Sequence, residues 1–140
     1  SGVSQPILGA RTANKHNFRS TESVESRHGN LPLQRAIAQA VGMTPEPLSI
    51  DSMAKYAVVA RGEAALYLRL PWAEYPAYRE NIWDHAAGAI VLEEAGGRVS
   101  DMYGKPLEFA ANAKMLNNRG IIASSSDIYD AVLDALQEKV

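Results

Sequence analysis

The stretch best suited to chemistry is Trp83-Asp84-His85-Ala86-Ala87-Gly88, which runs on into apolar residues as far as Gly96. Asp84 is of a type that caps helices, and Gly96 is of a type that ends them, so the sequence predicts a buried helix over about 85–95. A carboxylate at a buried helix start needs a partner for its charge, while the helix dipole and the N–H groups there attract anions. A metal-bound phosphate would satisfy both features. A simple capping role for Asp84 explains the same pattern.

A second candidate site lies at Asp51-Ser52-Met53-Ala54-Lys55-Tyr56. Asp51 or Ser52 can cap a helix that runs to about residue 61, where Gly62 ends it. Ser52 and Lys55 are three residues apart and therefore share one face at the helix start. A hydroxyl, an ammonium group and a dipole end at one point form a good phosphate site. A capping residue followed three residues later by a lysine is also common on surface helices.

Two further polar side chains, Arg69 and His28, have no function that their local pattern indicates. Leu66, Leu68 and Leu70 alternate with Tyr67 and Arg69, which predicts a strand over about 64–70 with Arg69 on the second face. By pattern alone, Arg69 is the solvated end of a half-exposed strand. By residue type alone, His28 is a solvated loop histidine. A guanidinium is nevertheless suited to hold a phosphate through bidentate hydrogen bonds.

The elements that must position these residues alternate between helix and strand. Apolar spacing predicts helices over about 33–41, 52–61, 85–95 and from 126 or 127 to the C-terminal end, and strands over about 48–50, 64–70, 98–101 and 120–124. Residues 1–21 show no clear period, apart from a possible strand over 3–9, and are interpreted as a loop, a linker or the start of the domain. A further short strand is possible over 23–28. The alternation predicts an α/β layered sandwich in which a mixed central sheet carries helices on both faces.

Composition excludes several classes of protein. The chain has 140 residues, 46% hydrophobic and 21% charged, which is typical of one globular domain rather than a disordered or fibrous chain. A formal net charge of −2 gives no indication of duplex nucleic acid or an anionic membrane as a partner. The chain lacks cysteine, which excludes disulfides and agrees with the cytoplasmic location that we expect. No apolar run approaches membrane-spanning length.

The motif around Asp84 resembles a known family signature. The run Tyr78-Arg79-Glu80-Asn81-Ile82-Trp83-Asp84-His85-Ala86-Ala87-Gly88, with Glu94-Ala95-Gly96-Gly97, is similar to the C-terminal signature of the inositol monophosphatase superfamily of metal-dependent, lithium-sensitive phosphatases. The histidine after the aspartate and the Tyr-Arg-Glu lead-in look like the 3′(2′),5′-bisphosphate nucleotidase branch. The resemblance covers about residues 22–138 and implies the C-terminal half of the superfamily's five-layered sandwich.

The resemblance implies roles for individual residues. Asp84 matches a ligand of the catalytic Mg²⁺ ions, and is thus both a catalytic and a substrate-site candidate. Ser52 and Lys55 match residues that bind adenosine 3′,5′-bisphosphate. Arg69, in a similar Tyr-Leu-Arg-Leu-Pro, matches the contact to the phosphate that does not react, and His28 matches a nucleotide contact.

The implied reaction is hydrolysis of the 3′(2′)-phosphate of adenosine 3′,5′-bisphosphate to AMP and phosphate, with Mg²⁺ as cofactor. Family members supply most metal ligands from an N-terminal half, through a Glu-Glu pair and an Asp-Pro-Ile-Asp-Gly-Thr motif. This chain lacks the second motif, and its Glu93-Glu94 lies at the wrong end of the predicted helix to serve as the first. We therefore expect residues 22–140 to form a C-terminal domain that is catalytically incomplete alone and takes the N-terminal half of the enzyme as its partner.

Two alternatives remain open at this point. An inositol-phosphate phosphatase of the same fold would hold a single phosphate, and the pair of Lys55 and Arg69 argues against it. A nucleotide-binding or assembly domain without catalysis would keep the substrate contacts and need no metal.

Overall fold

The computed structural model describes ten short helices and strands that build one sheet with helices around it. The described residues are 18–22, 30–43, 47–49, 54–72, 79–80, 82–109, 114–115 and 117–139. In chain order the elements are β1 (Ser20–Glu22), α1 (Leu31–Ala40), β2 (Leu48–Ser49), α2 (Ala54–Ala60), β3 (Leu66–Arg69), a 3₁₀ turn (Ile82–Asp84), α3 (Ala86–Glu94), β4 (Arg98–Ser100), β5 (Ile121–Ser124) and α4 (Tyr129–Lys139).

The five strands form one mixed sheet in the order β2-β1-β3-β5-β4. β1 pairs in parallel with β2 and β3, whereas β5 pairs antiparallel with β3 and β4. β3 is therefore the central strand. Because β3 carries Arg69 at its last position, the sheet places that side chain at the end of its middle strand.

Two apolar clusters cover the two faces of the sheet. Alternation along β3 and β5 sends Tyr67, Ile121 and Ala123 to the face covered by α2 and α3. The same alternation sends Leu66, Leu68 and Ile122 to the face covered by α1 and α4. The predicted α/β sandwich with a mixed sheet and helices on both faces is thus confirmed.

Most predicted elements agree with the structure to within a few residues. α1 begins at Leu31 rather than 33, because Asn30 caps it by accepting a hydrogen bond from the Leu33 N–H at 3.2 Å. The three predicted helix stops, Gly42, Gly62 and Gly96, all have positive φ. α4 begins at Tyr129, two or three residues later than expected, after a turn.

The N-terminal part of the prediction needs one correction. Ser20 and Thr21 were assigned by pattern to a loop, but they belong to β1, which the sheet holds between β2 and β3. Three residues are too few to show a hydrophobic period, so pairing with neighbouring strands decides this element. The possible strands over 3–9 and 23–28 lie outside the described residues.

The prediction that the 85–95 helix is buried all round was wrong. α3 buries Gly88, Ala89 and Leu92, but Ile90 and Val91 are 54% and 43% exposed. Ala87, which shares a helix face with both, is exposed as well. α3 therefore carries an apolar face that no described residue covers.

The longest helix in the described part of the chain has 11 residues. Among the residues that the structure describes, no helix is both long and apolar enough to cross a bilayer.

Candidate active site

The candidate residues that the structure describes lie around two buried tyrosines, Tyr56 on α2 and Tyr67 on β3. The two rings meet edge to face with centroids 5.1 Å apart. The charges of Arg69, Glu80 and Asp84 all act on both phenols. The fold thus gathers residues from α2, β3 and the start of α3 at one place.

Two of the described cations, Lys55 and Arg69, lie at this place. Lys55 is only 2% exposed, and its Nζ lies 5.5 Å from the centroid of the Tyr67 ring. A buried ammonium over an aromatic face is stabilised by the ring quadrupole. The Arg69 side chain is 17% exposed, and its Nε lies 3.3 Å from Glu80 Oε1. Because helices cover both faces of the sheet, Arg69 is not the solvated end of a half-exposed strand.

Asp84 does not cap α3. It is exposed and occupies the last position of the 3₁₀ turn Ile82–Asp84, while His85 holds the N-cap position and makes no side-chain cap hydrogen bond. The tighter 3₁₀ turn shifts the helix start by one residue. The capping explanation for Asp84 is therefore wrong, and the role implied by the resemblance stays a prediction.

A buried chain of two hydrogen bonds and one ion pair connects the helices and the strand. Tyr56 Oη lies 2.7 Å from His85 Nδ1, and His85 Nε2 lies 2.8 Å from Glu80 Oε1, the same oxygen that approaches Arg69. Sequence reasoning quoted Glu80 and His85 as parts of the motif but assigned them no function. The spacing Glu-x-x-x-x-His could have suggested a contact between Glu80 and His85. It gives no indication that Tyr56 and Arg69 contact the same two side chains.

Close packing fixes the distance between α2 and α3 at this place. A Cβ atom added to Gly88 would lie 2.4 Å from Tyr56 Cδ2, so the Tyr56 ring sits directly on the backbone of α3. The backbone carbonyl of Glu80 accepts a hydrogen bond from the Met115 N–H at 2.9 Å, and Met115 is itself buried. Packing and one distant loop contact therefore hold Asp84, His85 and Glu80 in place.

Two candidates cannot be located. Ser52 and His28 lie outside the described residues, so their predicted contacts to a nucleotide stay predictions.

The two central phenols stay protonated at neutral pH. Burial is the main reason that the pKa of Tyr67 rises to about 12, and burial likewise raises the pKa of Tyr56 well above its usual range. Nearby Glu80 and Asp84 add to both shifts, because negative charges disfavour a phenolate. The Tyr56 hydroxyl shares a hydrogen bond with His85 Nδ1, and the Tyr67 hydroxyl accepts a hydrogen bond from the Arg69 side chain, which lowers the pKa of Tyr67 in part.

This shift makes stability fall at alkaline pH. Below pH 10 Tyr67 is protonated in the folded and the unfolded chain, whereas between pH 10 and about 12 only the unfolded chain ionises it. We expect Tyr67 to account for a loss of about 1 kcal/mol in unfolding free energy between pH 9 and pH 11. Urea unfolding at both pH values, with the chain and with Tyr67→Phe, measures it. A loss that is equally large in Tyr67→Phe would contradict the assignment, and Tyr103→Phe, at an exposed position, is the control.

The donors present fit a hard metal ion only in part. The exposed carboxylate of Asp84 is the kind of oxygen ligand that such ions prefer. Glu80 is buried, and its Oε1 is occupied by His85 and Arg69. In the described ranges no three His, Asp or Glu side chains come together as a metal site. This part of the chain can offer one metal ligand.

The sequence matches the inositol monophosphatase family over residues 3–140, and the chain belongs to that family. It is 44% identical over 122 residues to a 3′(2′),5′-bisphosphate nucleotidase from Schizosaccharomyces pombe, a match that covers 87% of this chain and 34% of that protein. It is 40% identical over 139 residues to 3′(2′),5′-bisphosphate nucleotidase 1 from Candida albicans, covering 96% of this chain and 37% of that protein. The resemblance seen in the motifs is confirmed. The chain spans about a third of the length of these curated relatives.

Solved structures confirm the fold. An inositol monophosphatase from Anabaena (Nostoc) superposes with a TM-score of 0.60 at 23% identity, over 91% of this chain and 48% of that one. CysQ from Bacteroides thetaiotaomicron, a bacterial family member, superposes with a TM-score of 0.55 at 23% identity, over 78% of this chain and 37% of that one.

Proposed function

We propose that this chain is the C-terminal domain of a Mg²⁺-dependent, Li⁺-sensitive phosphatase that hydrolyses the 3′(2′)-phosphate of adenosine 3′,5′-bisphosphate to AMP and phosphate. The observation that carries the proposal is the grouping of Lys55 and Arg69 with Asp84 around Tyr56 and Tyr67. Two cations suit a substrate with two phosphates, and a neighbouring carboxylate suits a metal ion. Relatives that are 40–44% identical and named for this reaction support it.

Each residue then has a distinct task. Arg69 holds the phosphate that does not react, since a guanidinium binds phosphate oxygens in a fixed, bidentate geometry. Lys55 and Ser52 bind phosphate at the start of α2, and His28 contacts the nucleotide. Asp84 provides one metal ligand. When bound, Mg²⁺ supplies polarisation of the phosphoryl group and a more acidic water.

The remaining metal ligands come, in this proposal, from the N-terminal half of the enzyme. The relatives are about three times longer than the region they share with this chain. The apolar face of α3, formed by Ala87, Ile90 and Val91, is the surface on which we place that half. Covering the exposed parts of Ile90 and Val91 would contribute about 2 kcal/mol.

A charge in this face should weaken the assembly and leave the domain intact. We expect Ile90→Glu to lower the affinity of this chain for the unmatched part of the Schizosaccharomyces pombe relative at least tenfold, because a carboxylate would be buried without a partner. Isothermal titration calorimetry measures the affinity, and the melting temperature of the chain alone should stay within about 2 °C.

Tyr103→Glu is the matched control, because Tyr103 is 50% exposed and lies on a turn after β4 rather than on α3. It should bind as the unchanged chain does. If Ile90→Glu also binds unchanged, the N-terminal half docks elsewhere.

The function itself is tested with a full-length chimaera in which this chain replaces the matched region of the Schizosaccharomyces pombe relative. We expect Mg²⁺-dependent phosphate release from adenosine 3′,5′-bisphosphate and inhibition by Li⁺, and no release by the 140-residue chain alone. A folded chimaera that hydrolyses inositol 1-phosphate in preference would favour the inositol-phosphate phosphatase. A folded chimaera that binds the nucleotide without hydrolysis would favour the non-catalytic binding domain.

A further inference from the structure

The buried chain from Tyr56 to Arg69 joins the two sides of the candidate site. Its links are Tyr56 Oη to His85 Nδ1 at 2.7 Å, His85 Nε2 to Glu80 Oε1 at 2.8 Å, and Glu80 Oε1 to Arg69 Nε at 3.3 Å. One end lies on α2, next to Lys55, and the other end lies on β3. The middle of the chain, His85, directly follows Asp84.

Burial makes these contacts costly to break. Tyr56 and His85 are 1% exposed and Glu80 is 4% exposed. A buried carboxylate is costly unless it is paired and hydrogen-bonded, and Glu80 meets both needs through His85 and Arg69. Moving His85 or Glu80 would break two links of this chain at once.

The two ring nitrogens of His85 each have one partner. Tyr56 Oη lies 2.7 Å from Nδ1, and Glu80 Oε1 lies 2.8 Å from Nε2. In the neutral tautomer that carries its proton on Nε2, the Tyr56 hydroxyl donates to Nδ1 and Nε2–H donates to Glu80 Oε1. That tautomer satisfies both ring nitrogens.

The side chain of His85 has no capping task that would explain its place. It occupies the N-cap position of α3 but makes no cap hydrogen bond, since its ring is turned towards Tyr56 and Glu80. Through Tyr56 and Glu80, the His85 side chain connects the start of α3 with α2 and with the strand that carries Arg69.

We propose that Glu80 and His85 are positioning residues that fix the Arg69 guanidinium relative to Asp84, and that this fixed geometry determines the preference for bisphosphorylated over singly phosphorylated substrates. The inference rests on the proposed function. Arg69 lies at the end of β3 with its side chain 17% exposed, so a ligand can reach it. Its Nε forms an ion pair with Glu80 Oε1 at 3.3 Å, and its side chain is also hydrogen-bonded to Tyr67. A guanidinium whose position is restricted by such contacts loses less freedom on binding a phosphate.

The test compares two substrates in the full-length chimaera, adenosine 3′,5′-bisphosphate and adenosine 3′-monophosphate, which lacks the phosphate assigned to Arg69. Glu80→Gln keeps the shape and can still accept from His85, but removes the charge that holds Arg69. We expect KM for the bisphosphate to rise about tenfold with kcat nearly unchanged, and KM for the monophosphate to stay the same. Glu93→Gln, at an exposed position near the other end of α3, should change neither value.

A second variant distinguishes a loss of positioning from a loss of folding. Tyr56→Phe keeps the ring on Gly88 and removes only the donor to His85. We expect a smaller rise in KM for the bisphosphate, about threefold, and a change in the ¹⁵N shifts of the His85 ring in the 140-residue chain.

The outcomes separate the two proposals. This inference fails if the unmodified chimaera cleaves the bisphosphate but Glu80→Gln leaves the ratio of the two KM values unchanged. It also fails if Glu80→Gln raises KM for both substrates and lowers the melting temperature, because Glu80 would then be only structural. If the folded chimaera cleaves neither nucleotide, the proposed function fails and this inference falls with it.

Discussion

Phosphate release by the full-length chimaera is expected to fall on the order of 100-fold or more when Asp84 is replaced by asparagine. An amide is a much weaker ligand for a hard cation than a carboxylate, and stabilisation of a phosphoryl group by a metal is worth several kcal/mol in the transition state. Stability should hardly change, because Asp84 is exposed and does not cap α3. Raising the Mg²⁺ concentration should restore part of the activity.

Asp134→Asn is the control, since Asp134 is exposed on α4, which covers the opposite face of the sheet. It should leave activity unchanged. A parallel loss of melting temperature and activity in Asp84→Asn would show that Asp84 supports the 3₁₀ turn rather than a metal ion.

The second large effect is expected at Gly88, where a methyl group has no room. In Gly88→Ala the new Cβ would lie 2.4 and 2.5 Å from two ring carbons of Tyr56, and the ring cannot swing away because its hydroxyl is bonded to His85. We expect a loss of about 3 kcal/mol in unfolding free energy, since overpacking here outweighs the gain in helix propensity. Urea unfolding of the 140-residue chain measures it.

Gly96→Ala provides the comparison, because a Cβ at Gly96 would meet no atom within 4 Å. Its φ of +94° still disfavours alanine, so a loss of about 1 kcal/mol is expected from the backbone alone. A larger loss in Gly96→Ala than in Gly88→Ala would mean that α2 and α3 separate easily. The positions of Lys55 and Asp84 would then not depend on this contact.

The contact at Gly88 also explains why a small residue stands in the middle of α3. It lets α2 approach closely, so that Tyr56 can reach His85. Stability and the geometry of the candidate site therefore depend on the same contact between two helices.

Local chemistry in the sequence was enough to predict the class of fold. Alternation along β3 fixed which side chains point to each face, and positive-φ glycines ended α1, α2 and α3 as expected. These features depend on neighbours within a few residues, and a sequence displays such neighbours directly. The motif around Asp84 likewise identified the family, because its residues are consecutive.

Three features of the fold were not predicted from the sequence pattern. β1 has only three residues, so its place between β2 and β3 comes from pairing rather than from its own pattern. The exposed face of α3 was missed because the sequence of an apolar helix predicts burial on every side, whereas Ile90 and Val91 are exposed. Asp84 was displaced from the cap because a 3₁₀ turn and α3 compete for the same residues.

The link between Tyr56, Arg69, Glu80 and His85 was the least accessible to sequence reasoning. The sequence by itself determined the residue types and the elements that carry them. Only the tertiary structure brought a helix, a strand and a turn close enough for one carboxylate oxygen to meet both His85 and Arg69. Hydrogen bonds act over about 3 Å and leave no periodic trace along a chain, so a network across 29 residues becomes visible only when the elements pack.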